Sequence, residues 1–171
     1  MKSRLVLVAL LVIAGCAPRS AAMAGDPVSD SSGFVSEADS AVVTLERTAC
    51  FGTCPIYRVS IAASGAVRFE GKSYVAHQGP ATAQIPKEQV DSLLEELRQG
   101  GYFDMAERYL PDSPDCGDYA TDSPTVITSA TRDGVTKRIQ NYYGCMGAPL
   151  SLRQLERRID EVAGTNRWTG S

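Results

Sequence analysis

The stretch IYRVSIAASGAVRFEG, residues 56–71, decides the fold class. Tyr57, Val59 and Ile61 alternate with Arg58 and Ser60. After the Ser64-Gly65 turn, Val67 and Phe69 alternate with Arg68 and Glu70. A two-residue period sets one face of each strand on a core and the other in water, which marks an antiparallel hairpin.

The neighbouring segments extend this pattern. Ala41 to Arg47 alternates loosely, with Val43 and Leu45 on one face, and reads as a strand. Ser73 to His77 reads as a short further pairing strand. Thr125 to Arg132 is β-branched, Asp133-Gly134 is a favoured two-residue turn, and Val135 to Tyr143 is the return strand. From Pro86 to Arg98 the period changes. Val90, Leu93, Leu94 and Leu97 form one helical stripe, Pro86 suits its start, and Gly100-Gly101 ends it. Tyr102, Phe103 and Met105 then dock onto the core in a short turn. Leu110 to Pro124 reads as loop. Leu150 to Ala163 is a second helix with Leu152, Leu155, Ile159 and Val162 on one face, closed by Gly164, and Trp168 packs near the edge. The expectation is an α+β fold in one small domain, 41–171: an antiparallel sheet of about five strands covered by two helices.

Upstream of this domain the composition changes. Lys2 and Arg4 precede an apolar run from Leu5 to Ala14 that is shorter than the roughly 20 residues a membrane span needs. A charged start, a short apolar core and small residues after it describe a secretory signal. Ile13-Ala14-Gly15-Cys16 resembles the bacterial lipobox. That resemblance implies a signal peptide over 1–15, cleavage before Cys16, and lipid on its thiol and amino group. Each buried methylene of such lipid contributes about 0.8 kcal/mol to anchoring. Residues 16–40 then form the lipidated cysteine and a tether rich in Ala, Ser, Gly and Asp, too poor in apolar residues to form a core. Ala17, rather than Asp, favours the outer membrane. The expected address is the cell envelope, lipid-anchored in the outer membrane and facing the periplasm.

The chain carries 17 basic and 20 acidic side chains. With no basic stripe and no aromatic stacking platform, nucleic acid is not an expected partner. Arg153, Arg157 and Arg158 alternate with acids and read as a solvated helix face.

Beyond Cys16 four cysteines remain: Cys50, Cys54, Cys116 and Cys145. An even count in an exported domain suggests two disulfides, for which three connectivities exist. Cys50 and Cys54 would lie about 13 Å apart in an extended strand, too far for a bridge. They can join only if the chain turns between them, which Gly52 permits before Pro55 resumes extended structure. Cys116 and Cys145 flank the second hairpin, with Cys145 opposite about Asp122. Pairing Cys50 with Cys54 and Cys116 with Cys145 is preferred, and the other connectivities stay open. The two rings would stabilise by about 2 and about 3.6 kcal/mol on a loop-entropy model.

Several motifs occur in order: C-x-G-T-C-P-x-Y at Cys50 to Tyr57, G-x-V-x-F-x-G at Gly65 to Gly71, T-D-x-P-T at Thr121 to Thr125, then Gly147-Ala148-Pro149 and L-x-x-L-E-x-x-I-D at Leu152 to Asp160. Together they resemble an uncharacterised group of bacterial envelope domains. The resemblance implies no substrate, no cofactor and no catalytic residue.

The turn Cys50 to Tyr57 is the candidate contact surface, through Phe51, Gly52, Thr53, Pro55 and Tyr57. Its C-x-x-x-C-P spacing also resembles the metal-binding segment of copper-delivery proteins of the thioredoxin fold. There, two thiolates and the lone histidine, His77, would suit copper(I). The parallel β-α-β pattern of that fold is missing here. Ser123, Ser129 and Ser151 lack a nucleophile-elbow context. Asp112, Asp115, Asp118 and Asp122 do not match a calcium-loop spacing and read as a solvated acidic loop. Tyr142 and Tyr143 suit either a partner surface or the core. The expected function is a membrane-anchored lipoprotein whose domain is a non-enzymatic module binding an envelope protein or cell-wall partner. The alternative is thiol-redox or copper handling at Cys50 and Cys54.

Overall fold

The computed structural model describes residues 40–170. The signal peptide read over 1–15, the lipidation at Cys16 and nearly all of the tether lie outside the described residues. The described chain runs β1 (Ala41–Arg47), β2 (Ile56–Ala62), β3 (Ala66–Ser73), β4 (Gly79–Gln84), α1 (Lys87–Gln99), β5 (Arg108–Tyr109), β6 (Thr125–Arg132), β7 (Val135–Tyr142), α2 (Leu150–Ala163) and α3 (Asn166–Thr169). Short 3₁₀ turns span Tyr102–Asp104 and Pro114–Cys116.

These seven strands form one sheet in the order β4-β3-β2-β1-β6-β7-β5. Every neighbouring pair is antiparallel except β5 and β7, which run parallel. The fold is therefore α+β, but the sheet is larger than the five strands expected and is mixed. Two features account for the difference. The third strand of the first hairpin lies at Gly79–Gln84, not at 73–77, because Tyr74 takes a φ of 55° and the chain bends before Gly79 returns it at φ 86°. β4, with the sequence GPATAQ, has too few large apolar residues to show a period, and Pro80, which donates no N–H, suits its edge position. β5 has two residues, too few for any pattern.

One face of the sheet packs on the helices. Val43, Leu45, Val59, Ile61, Val67, Phe69, Val126 and Ile139 point into this core, against Val90, Leu93 and Leu97 of α1 and Leu152 and Ile159 of α2. Arg158 of α2 pairs with Glu96 of α1 at 2.7 Å and ties the helices together. The other face is polar. Thr44 meets Ser129 at 2.6 Å, and Glu46 of β1 pairs with Arg58 of β2 and Lys72 of β3. Trp168, on α3, stacks on Phe69 at 4.8 Å between ring centroids.

The second hairpin turns at Asp133 and Gly134, with φ values of 50° and 77°, and pairs Thr125 with Tyr142 as its turn dictates. Beyond that point the register slips. Cys145 faces Tyr119 rather than Asp122, because Asp122 takes a φ of 67° and Pro124 has no N–H to continue the ladder.

Candidate functional site

The inward positions of the strands are apolar at mid-sheet and polar at one end. β1 buries Val43 and Leu45, then presents Arg47. β7 buries Ile139, then Asn141, with Tyr143 just beyond, and β2 begins its inward row with Tyr57. The buried stripe of α2 carries a carboxylate in the same way. Glu156 follows Leu152 by four residues and is 1% exposed, and Asp160 lies one turn further on.

These side chains form one network. Arg47 Nη2 and Nε donate to Asp160 Oδ2 at 2.6 and 3.0 Å. The Tyr57 hydroxyl donates to Asp160 Oδ1 at 2.7 Å and accepts from Arg47 Nε at 3.0 Å. Thr165 Oγ1 also donates to Asp160 Oδ1, at 3.0 Å. Arg47 Nη1 donates to the Tyr143 hydroxyl at 3.2 Å, and that hydroxyl donates to Glu156 Oε2 at 2.8 Å. Asn141 Nδ2 donates to both Glu156 oxygens, at 3.0 and 3.2 Å. Asn141 Oδ1 is buried with no hydrogen-bond partner.

The charge states follow from this geometry. Burial pushes the Glu156 carboxyl up to about 7, against the lowering effect of the Asn141 and Tyr143 donors and of the nearby Arg47 and Arg153 charges. Burial alone would lower Arg47, but the Asp160 carboxylate together with the Tyr143 and Tyr57 hydroxyls outweighs it and holds the guanidinium charged. Burial and the adjacent Asp160 charge raise Tyr57, so its hydroxyl stays a donor.

The outer side of the network opens to solvent. A groove of about 590 Å³ is lined by Arg47, Pro55, Tyr57, Asp160, Arg157 and Asn166 among others. Beside Pro55 stands the turn closed by the Cys50–Cys54 disulfide, with the two Cα atoms 5.8 Å apart. The turn is docked by backbone bonds from Thr48 N–H to the Thr125 carbonyl at 3.0 Å and from Phe51 N–H to the Asp122 carbonyl at 3.1 Å. Gly52 makes it possible at a φ of 154°, which side chains rarely adopt. Cys116 joins Cys145, with Cα atoms 4.7 Å apart. That bridge fixes the loop across the same end of the sheet, helped by Met146 N–H to Asp118 and Ala120 N–H to Gly144, at 2.9 and 3.0 Å.

The structure divides the residues singled out from sequence. Phe51, Gly52 and Thr53 are exposed and Pro55 is half-buried, but Tyr57 is 3% exposed. Tyr57 is therefore not exposed with the outer turn: its ring packs on Phe69, its hydroxyl donates to Asp160, and it lines the groove. His77 is exposed, with its ring Nε2 3.1 Å from the Pro80 carbonyl. Among the described residues no three His, Cys, Asp or Glu side chains gather as a metal-binding group, and Cys50 and Cys54 are joined to each other as a disulfide. Asp112 pairs with Arg108. Tyr142 and Tyr143 are half-buried, the latter inside the network. The residues that sequence reasoning passed over are Arg47, Asn141, Glu156 and Asp160. Each carried a signal: a polar residue at an inward strand position, or a carboxylate on an apolar helical stripe.

A family model described as Domain of unknown function (DUF6438) matches residues 41–163. No curated protein matches the chain.

Proposed function

The chain belongs to this family, whose description assigns no activity, and on that premise we propose that it is a lipid-anchored protein of the bacterial envelope whose domain is a non-enzymatic binding module. The lipobox-like sequence ending at Cys16 supports the anchor. The contact surface rests on one observation: Phe51 is 87% exposed on a turn closed by a disulfide and docked by backbone hydrogen bonds. An aromatic side chain held out on a rigid turn loses little entropy when a partner covers it.

The competing reading is thiol–disulfide exchange or copper handling at Cys50 and Cys54. What favours it is accessibility, since both cysteines are half-buried whereas Cys116 and Cys145 are sealed in the core.

Crosslinking in intact envelopes followed by purification of the full chain tests the binding module. A specific partner should be enriched, and changing Phe51 and Thr53 to Ala should remove it. Enrichment unaffected by those changes, or none under several growth conditions, overturns the reading.

A further inference from the structure

The large apolar side chains exposed on this domain are unevenly placed. Phe51, Met146, Leu150 and Tyr119 are 87, 71, 77 and 50% exposed, and all four lie at the end of the sheet that holds both disulfides. Three of them are joined by the backbone framework there: Phe51 to Asp122, Tyr119 to Cys145 and Met146 to Asp118. Leu150 lines one shallow depression with Met146 and Ala120. Isolated exposed apolar residues are ordinary, but a grouped set with aromatic and methionine side chains marks an interaction surface.

The direction of the chain places this end. Ala41 begins β1 opposite Ala62, beside the Ser64-Gly65 turn, and β1 runs seven residues to Arg47 before the disulfide turn begins. The tether read from sequence therefore joins the domain about 20 Å from the apolar end, on the same side as the Asp133-Gly134 turn and exposed Val135.

The charges around the apolar residues indicate what covers them. Asp115, Asp118 and Asp122 are exposed and have no cationic partner among the described residues. Arg108, which lines one depression with Asp115, is paired with Asp112, and Arg153, beside Met146 and Leu150, is turned inward: its Nη2 donates to the Tyr143 and Cys145 carbonyls at 2.7 and 3.2 Å, and it lies over the Tyr143 ring. An anionic bilayer surface would be repelled by these carboxylates. Two copies of this chain meeting through the same end would set acid against acid. We propose that this end is the docking surface for a partner protein that presents basic residues around an apolar anchor. The inference rests on the binding reading above and adds the chemistry of the partner to it.

The test uses the full chain in intact envelopes with a photoreactive residue at Phe51, at Met146 or, for comparison, at Val135. The adducted peptides are identified by mass. The expected result is one partner protein captured from Phe51 and Met146 but not from Val135, through segments of net positive charge. Asp118→Asn with Asp122→Asn should lower the yield about threefold or more at low ionic strength, with the effect lost at high salt. Both carboxylates are exposed, so the thermal midpoint should not move. A captured segment that is acidic, a yield indifferent to the Asn pair, or capture of lipid or of a second copy overturns this inference and leaves the binding reading in place. No adduct from Phe51 or Met146 overturns both.

Discussion

The Tyr57 hydroxyl donates to Asp160 Oδ1 at 2.7 Å, across 103 residues of chain. It joins the first strand after the disulfide turn to the last long helix. Asp160 also holds Arg47, and both side chains of that ion pair are less than a fifth exposed. Removing one member should therefore cost more than the pair contributes. Asp160→Asn leaves the guanidinium without a counter-charge and should lower unfolding free energy by about 2–4 kcal/mol. Tyr57→Phe removes one hydrogen bond and should cost about 1–2 kcal/mol. Denaturant titration of the two variants checks the order.

Glu156 gives the fold a pH dependence with a definite sign. Its folded value, about 7, lies above the value of about 4.3 for a free Glu. Between the two, the folded state binds more protons than the unfolded state, so stability falls as pH rises through that window and levels off above it. The loss should reach at most about 3.7 kcal/mol. Glu156→Gln should flatten the profile between pH 5 and 8 and be the more stable form at pH 8, because the new amide can donate to Asn141 Oδ1, which lacks a partner. A melting series that falls equally in both proteins would count against this.

The two disulfides should differ in what they hold. Opening Cys116–Cys145, a ring with sequence separation 29, should cost about 3.6 kcal/mol, and opening Cys50–Cys54, with separation 4, about 2 kcal/mol. Double Ser variants compared by chemical denaturation measure this. The Cys116/Cys145 variant should also become sensitive to limited proteolysis between Asp115 and Asp122.

Phe51→Ala should leave stability within about 0.5 kcal/mol of the parent, since the ring touches little of its own domain. Partner affinity should drop about tenfold or more if Phe51 anchors the contact. The separation of the two effects, by melting and by quantitative crosslinking, is the informative part.

How much of this was legible in the sequence depended on whether local pattern or distant pairing set each feature. The residue 56–71 hairpin, the Asp133-Gly134 turn and both helices follow from local periods and turn residues, and the observed α1 and α2 lie within one residue of the expected limits at each end. β4 and β5 were not legible, because one lacks large apolar residues and the other has only two residues. The facing of Cys145 to Tyr119 was missed because the hairpin rule assumes an unbroken ladder, and Asp122 breaks it. The cysteine pairs stand in the structure as preferred from spacing. The polar network was legible only in fragments. Arg47 and Glu156 each occupy an apolar-facing position, but nothing local says that a strand arginine at 47 meets a helix carboxylate at 160.

On the proposed reading, Cys50 and Cys54 hold a contact surface rather than carry chemistry. Differential alkylation of the purified full chain across a series of redox buffers, read by peptide mass, decides between the two roles. If they are structural, Cys50–Cys54 and Cys116–Cys145 are both closed and stay closed down to about −300 mV, as structural disulfides do. Reversible opening of Cys50–Cys54 near the potentials of oxidoreductases, about −120 to −270 mV, or a reduced pair that takes up copper(I), would contradict it.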